Sequence, residues 1–387
     1  MSTYQPLEDR HIERLLEVMA YTFNVDVEMA EGWLERAGRE TLRVIATGSD
    51  VEACLLRIPQ GIWFGGRALD NCGVAGVGVA PAHRGRGLAK QLMVGLCREL
   101  HEEGVPVSTL YPATVGLYRR VGYGLAGDLF AVRAKTDGLR RFESKASLRE
   151  ATDADVPAMK ALEERVRRDD GNLRRGPYVW SRIFSPRFER TERFVVEEDG
   201  ALVGYTVFKK TASGVLHDFE LTDLVATTPD AHRRLLDFFF THRSFVKQLS
   251  WAAPPSDPFL GLWPEHHYEV KLDMTWMLRL THVAKALEAR GYPEGVRGAL
   301  TFEVEDEHVG GNAGVYTLHV EDGRASVSRY RGEHVVRTDA RTFATLFCGY
   351  RSATTLRAMG GLSGSDAAIT RAEQLFVPRG PHMNHLF

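Results

Sequence analysis

The sequence predicts an α+β protein made of two related parts followed by a smaller α+β unit, and three observations predict it. A short alternating strand at residues 77–80 runs through Pro81 and a glycine-rich basic turn into a helical pattern with Leu88, Leu92 and Leu96 on one face. The element order leading to this turn starts again near Ser147, but at residues 227–234, where the turn should recur, there is no glycine. From Gly298 onward, short β-rich runs divided by Gly311-Asn312 and Asp322-Gly323 give way to helical runs.

Residues 7–19 and 25–37 have helical spacing and are joined by Tyr21-Thr22-Phe23. Residues 41–46, 51–58 and 61–69 read as short strands, 105–110 as the strand after the central helix, 117–121 as a short helix and 123–132 as a returning strand. In the second part an acidic lead-in at 147–156 precedes strands at 193–198 and 201–209, joined by Asp199-Gly200, then a strand at 221–226 and a helix at 235–242. Residues 251–267 are proline-rich and aromatic, and 273–290 run from strand to helix. The last part predicts strands at 300–304, 314–320, 324–328 and 334–337 and helices at 342–346, 352–358 and 365–376.

Composition narrows the function. A chain of 387 residues with 44 % hydrophobic content supports several cores, and a formal charge of −2 gives no overall attraction to nucleic acid. Cys54, Cys72, Cys97 and Cys348 lie scattered without metal-ligand spacing, so zinc and disulfide roles are not expected. The polar start M-S-T-Y-Q-P does not suit a signal peptide, and no apolar run approaches membrane-spanning length; a cytoplasmic protein with no membrane partner is expected. The chemistry concentrates at the turn. Arg84, Gly85, Arg86, Gly87 and Ala89 place small residues where the first helical turn leaves N–H groups unpaired, and the helix dipole and two arginines favour a phosphate there.

The run Arg84-Gly85-Arg86-Gly87-Leu88-Ala89 resembles the Q/R-x-x-G-x-G/A signature of the GCN5-related N-acetyltransferases. With Leu117-Tyr118-Arg119-Arg120-Val121-Gly122-Tyr123, the Asp273-Met274-Thr275-Trp276 strand, the closing Gln374-Leu375-Phe376 and terminal Phe387, the whole chain closely resembles the enhanced intracellular survival family within that group. The resemblance implies tandem acetyltransferase folds followed by a sterol-carrier-like α+β domain: an acetyl-coenzyme A-binding domain at 1–140, a degenerate copy that binds no cofactor at 141–290, and at 291–387 a domain whose C-terminus reaches the active site. It further implies acetyl transfer to primary amines, including aminoglycoside antibiotics in some members, so that an aminoglycoside or similar polyamine is the expected acceptor and antibiotic resistance the expected role, and it implies a homohexamer.

On that resemblance Val77, Val79, Arg84, Gly85, Arg86, Gly87 and Ala89 hold the cofactor, the strand at 105–110 lies beside 77–80, and the two strands splay to admit the pantetheine arm. Tyr118 matches the tyrosine that serves the departing thiolate as general acid, and the free carboxylate of Phe387 takes the ammonium proton. Direct transfer needs no cysteine nucleophile. Asp26 and Glu28, with Phe23 and Trp33 on the apolar side, are the expected acceptor-binding residues; Glu35, Tyr21 and Trp63 lie nearby in the pattern. Leu386 stands where an acidic residue would have helped hold a polyamine. A protein-lysine acetyltransferase, a lipid-binding protein and an acetyl-coenzyme A sensor are the alternatives.

Overall fold

The computed structural model describes residues 3–387. The first part comprises β1 (Thr3–Pro6), α1 (Ile12–Phe23), α2 (Val27–Ala37), β2 (Leu42–Thr47), β3 (Asp50–Phe64), β4 (Arg67–Val79), α3 (Leu88–Glu103), β5 (Val107–Leu110), α4 (Val115–Arg119) and β6 (Gly124–Lys135). The second comprises β7 (Ser147–Glu150), α5 (Val156–Val166), β8 (Leu173–Arg174), α6 (Pro177–Phe184), β9 (Glu192–Glu198), β10 (Ala201–Ser213), β11 (Leu216–Ala226), α7 (Pro229–Thr241), β12 (Val246–Ala252), α8 (Pro258–Leu262) and β13 (Tyr268–Leu280). The third holds α9 (Val283–Ala289), β14 (Gly298–Glu305), β15 (Gly314–Glu321), β16 (Arg324–Ser328), β17 (Val335–Asp339), α10 (Ala340–Phe347), α11 (Ala353–Ala358), β18 (Leu362–Gly364) and α12 (Asp366–Leu375).

Most elements follow the hydrophobic pattern. The α3 helix buries Leu88, Leu92, Met93, Leu96, Cys97 and Leu100 along one face, and Gly104 ends it in the left-handed conformation that glycine takes without steric cost. One hairpin differs from the sequence expectation. Instead of strands at 51–58 and 61–69, β3 runs on through Gly61, which pairs with Asp70, and the chain turns at Gly65-Gly66, with φ of 59° and 74°. Two adjacent positive φ values suit a tight hairpin, and a glycine pair supplies them where the single Gly61 does not.

A 13-stranded sheet, in the order β1-β2-β3-β4-β5-β13-β6-β12-β11-β10-β9-β7 with the short β8 pairing off this path with β3, spans the first two parts. The division expected near residue 140 is therefore not a division of the sheet. The late strand β13 inserts antiparallel between β5 and β6, with Met277 opposite both Leu110 and Leu125, while β6 also pairs with β12. Each part completes the other's sheet, so the second is a structural requirement of the first.

The third part forms a separate five-stranded sheet, β16-β15-β14-β17-β18. Aromatic rings pack in its core: Phe302 lies 4.6 Å from Phe343 and 5.7 Å from Phe376. Helix α10 presses on β6 so closely that a Cβ at Gly124 would lie 2.1 Å from the Arg341 carbonyl oxygen. Arg279, fully buried in β13, donates to the Val121 carbonyl at 2.6 Å and pairs with Asp306 at 2.7 Å, which fixes this part to the first.

Beyond α12 the chain passes as an extended strap between the other two parts. Asp128 N donates to Pro381 O at 3.0 Å, Met383 N to Asp128 O at 3.0 Å, and His382 N to Asp170 O at 3.1 Å. Gly127 and Gly171 make room for it, since a Cβ would lie 2.4 Å from Pro381 O at the first and 2.9 Å from His382 O at the second. Among the described residues no helix is long and apolar enough to cross a membrane.

Candidate active site

Strands β4 and β5 pair in parallel only from Asn71–Val107 to Val74–Leu110. The contact therefore precedes residues 77–80, where the sequence reading put it. β5 stops at Leu110 while β4 runs on to Val79, so Ala75 to Val79 form one arm of a V, paired with β3 on one side and with no strand on the other among the described residues. Gly76, with φ of 61°, and a register shift opposite Cys54 and Leu56 mark a bulge that turns this arm away. Val77 and Val79 pack their side chains against the core beneath α3.

The arm leads through Pro81 into the turn. Gly85 and Gly87 have φ of 78° and 77°, and a Cβ built on either would meet nothing within 4 Å. Gly87 is the N-cap of α3 and offers no side chain to it, and the first turn of α3 holds no acidic residue. The first N–H groups of α3 thus face an open, glycine-lined hollow. Arg84 and Arg86 are exposed beside it; Arg84 Nε reaches the Val79 carbonyl at 3.4 Å, and neither arginine pairs with a carboxylate among the described residues. These groups fit the pyrophosphate of acetyl-coenzyme A: an uncapped helix N-terminus, unobstructed backbone and two available cations.

The corresponding turn in the second part is closed by its own residues. Helix α7 starts at Pro229, earlier than the expected 235; proline there has no N–H to offer, and Thr228 Oγ1 accepts from Ala231 N at 3.0 Å. Asp230 places a carboxylate in the first turn, where it accepts from Lys145 N and Ala146 N at 2.8 Å. An anion would meet a filled, negatively charged helix start. Replacing Gly87 by glutamate should weaken acetyl-coenzyme A binding by about ten- to a hundredfold, the value of one or two lost charge-assisted hydrogen bonds. Titration calorimetry checks this, with Arg233→Ala as a control that should bind normally; unchanged affinity in a folded Gly87→Glu variant would remove the assignment.

Two faces of the sheet meet at the parting of β4 and β5. Strand alternation puts Cys72 and Val74 in the core beneath α3, and that core also contains Leu110 and Tyr118. Gly73 and Ala75 point the other way, towards α1 and α2. There a Cβ at Gly73 would lie 2.7 Å from the Phe387 ring, and the Phe387 and Tyr111 rings stand 5.6 Å apart. Phe387, 8 % exposed, is thus docked, and Tyr111 secures the strap by donating to His385 O at 3.0 Å.

Phe387 closes a cavity of about 190 Å³ lined also by Phe23, Trp33, Ala75, Gly76, Tyr178 and Arg182. The Phe23 and Trp33 rings meet edge to face at 5.8 Å. Of the four expected acceptor residues, the structure brings Phe23 and Trp33 to this cavity and leaves Asp26 and Glu28 out of its lining. Asp26 is the N-cap of α2, accepting from Met29 N at 2.7 Å, and Glu28 is exposed on the first turn of that helix. Exposed Tyr21 carries the Arg84 guanidinium 5.5 Å above its ring, and Trp63 is stacked under Arg168 instead of opening here.

Sequence reasoning missed Gln60, Tyr111, Tyr178 and Arg182. The Gln60 amide is buried beside Gly73 and Phe387 with neither its nitrogen nor its oxygen hydrogen-bonded to protein. Tyr178 and Arg182 come from α6 of the degenerate part, and nothing local in their sequence marks them; α6 is brought against the first part by β8, which pairs with β3 just ahead of it.

Burial raises the pKa of Tyr118 above the ordinary phenol value, which keeps its proton in place at neutral pH. The same shift makes complete proton transfer to a thiolate unfavourable, because a thiol near 8.5 is already the stronger acid by about 1.5 pKa units, or about 2 kcal/mol. A buried phenol of this kind suits hydrogen-bond donation better than complete proton transfer. Burial pushes Cys72 up to about 11 and Cys54 up to about 12, so neither supplies a thiolate at neutral pH.

Comparison with known proteins agrees with this geometry over the whole chain. Acetyltransferase (GNAT) domain models match residues 3–126 and 171–280, and a sterol carrier protein domain model matches 283–384. N-acetyltransferase Eis of Mycobacterium tuberculosis is 26 % identical over 381 residues, covering 92 % of this chain and 91 % of the relative. The chain belongs to the enhanced intracellular survival (Eis) family of GCN5-related N-acetyltransferases. An uncharacterized N-acetyltransferase of Streptomyces avermitilis is 28 % identical over 341 residues, 82 % of this chain and 83 % of that one. Among solved structures, a GCN5-related N-acetyltransferase from Anabaena variabilis superposes with a TM-score of 0.94 at 27 % identity, with both chains fully covered. Eis1 from Mycobacterium abscessus shares the fold, with a TM-score of 0.77 at 21 % identity over both full chains. As an Eis-family enzyme, the protein is an acetyltransferase that takes its acetyl group from acetyl-coenzyme A and passes it to an amine.

Proposed function

We propose that the chain acetylates a small primary amine seated in the Phe23–Trp33–Phe387 cavity, with Tyr118 as the donor to the departing sulfur and the α-carboxylate of Phe387 as the proton acceptor. In this reading residues 1–140 hold the cofactor, 141–290 supply one wall of the acceptor cavity, and 291–387 deliver the strap. The observation that carries the reading is the docking of Phe387 against Gly73 and Tyr111, at the place where β4 and β5 part.

Val77, Val79, Arg84, Gly85, Arg86, Gly87 and Ala89 would hold acetyl-coenzyme A, which supplies the activated acetyl thioester. Main-chain N–H groups that face away from β3 along residues 75–79 are fixed donors to a carbonyl oxygen. The Phe387 carboxylate holds the incoming ammonium by charge. It is too weak a base to strip a free alkylammonium, about seven pKa units above it, so it takes the proton as the nitrogen begins to bond to carbon and its N–H becomes acidic. Tyr118 donates from the opposite face of the sheet.

The cavity argues for a small acceptor over an aminoglycoside. At about 190 Å³ it falls below the roughly 300–1,000 Å³ of pockets that enclose drug-sized ligands, and none of its lining side chains is a carboxylate. Tyr118→Phe should slow thiol release by roughly 10²–10⁴-fold while acetyl-coenzyme A binding stays near native. A mass-resolved amine screen with parallel thiol measurement is the test, and unimpaired turnover by Tyr118→Phe would transfer the donor role to water. We also propose a homohexamer, consistent with the family; light scattering should return that mass, and a fully active monomer would remove it.

A further inference from the structure

Arg182 is the one charged side chain among the residues lining the acceptor cavity. It is half-buried on α6 and forms no ion pair or side-chain hydrogen bond with any described residue, even though it also borders a groove lined by Glu220 and Asp273. A second guanidinium stands close by. Arg36, at the end of α2, is stacked 4.0 Å over Phe188 and donates to Ser185 O at 2.9 Å, so both its ring contact and its hydrogen bond are with neutral groups. Burial, with the charge of Arg182 added to it, holds Arg36 below the usual arginine range. Arg182 thus stands at the cavity with a second cation, Arg36, within electrostatic range of it, and the other side chains of the lining are aromatic, aliphatic or small. A like-charge pair without a counter-ion is costly in such surroundings, and a planar carboxylate is the partner that a guanidinium matches with paired hydrogen bonds.

We infer that the acceptor is an amino acid-like amine: an aromatic or aliphatic body against Phe23, Trp33 and Tyr178, an amine directed at Phe387, and a carboxylate received by Arg182. The inference rests on the acceptor-cavity reading above and narrows it to one chemical class. It also accounts for the lining, because a polycation would be repelled by Arg182, whereas a molecule carrying both charges meets a carboxylate at one end of the cavity and a guanidinium at the other.

Two measurements test it. In turnover, native enzyme should prefer phenylalanine over phenethylamine, which lacks only the carboxylate, by about ten- to a hundredfold in kcat/KM, the value of a charge-assisted hydrogen bond. Arg182→Leu should bring that ratio close to one, mainly through KM for phenylalanine, and Arg182→Lys should restore part of it. In binding, calorimetry with 3-phenylpropionate, which has the carboxylate and no amine, should show association with native protein and at least about tenfold weaker association with Arg182→Leu. This second measurement does not depend on acetyl transfer. If 3-phenylpropionate binds through Arg182 but no amine is acetylated, the catalytic reading fails and the anion site stands. Equal use of phenethylamine and phenylalanine by native enzyme, or binding of 3-phenylpropionate indifferent to Arg182, overturns the inference.

Discussion

Extending the chain by a short peptide after Phe387 should reduce kcat by roughly 10²–10⁴-fold, the contribution of a positioned proton acceptor, with acetyl-coenzyme A affinity close to native. The reason is geometric. The strap is held at Asp128, Asp170, Asn172 and Tyr111, so the last residue reaches the cavity in a fixed direction, with its ring between Gly73 and Tyr111. A peptide bond at Phe387 replaces the carboxylate by a neutral amide and forces further chain into a cavity of about 190 Å³. The glycine turn at Gly85 and Gly87 lies at the far end of the β4 arm and is not touched by the extension. Stopped-flow thiol release with the fastest amine found, together with calorimetry of the cofactor, separates the two effects. Full turnover by the extended enzyme would end the case for the carboxylate and leave water as the acceptor.

How far the sequence went depends on the range of the interaction. The turn at Arg84 to Ala89 was legible because its chemistry is local: two positive-φ glycines, an uncapped helix and adjacent arginines are neighbours in sequence and in space. The loss of that turn in the second part was legible for the same reason, although the means of closure, Thr228 and Asp230 capping α7, was not read. Gly65-Gly66 carries a local hairpin signal inside the expected strand 61–69, and the turn falls there and not at Pro59-Gln60. What could not be read was non-local. No periodicity in residues 268–280 says that β13 will insert between β5 and β6, and none in residues 173–174 says that β8 will pair with β3 and so carry Tyr178 and Arg182 to a cavity shared with Phe23 and Trp33. The acidic residues expected on the acceptor wall have a local role that charge alone does not reveal. Asp26 stands one residue before a helix, where a carboxylate is more valuable as a cap than as a ligand.

Asp223→Asn should destabilise the protein by about 3–5 kcal/mol, because it removes a fully buried carboxylate that pairs with two guanidiniums. Its oxygens accept from Arg175 at 2.5 and 3.1 Å, from Arg167 at 3.3 Å and from the Tyr205 hydroxyl at 2.6 Å, and His385 of the strap stands 4.0 Å away, itself against Arg175. Glu163 lies 3.1 Å from Arg175 Nε, close enough to attract it though off the hydrogen-bond line. With Asp223 neutral, Arg175 retains only Glu163, so the strap should loosen two residues before Phe387 and kcat should fall along with stability. Tyr205→Phe, which deletes a single hydrogen bond, should cost only about 1 kcal/mol. The cluster also sets an acid response. Burial, reinforced by Arg175, holds His385 well below its ordinary 6.5, so the folded chain resists a proton that the unfolded chain accepts, and stability is lost as pH falls below about 6.5. Burial pushes Glu163 up to about 7 from 4.5; the folded chain takes that proton first, and stability is gained as pH falls from about 7 towards 4.5. The two slopes oppose each other, so Glu163→Gln should lose stability more steeply than native protein between about pH 6.5 and 5, as measured by denaturant unfolding at each pH. A Glu163→Gln profile parallel to native would show that Glu163 does not titrate in this window, and native stability in Asp223→Asn would show that the strap is held by its backbone bonds alone.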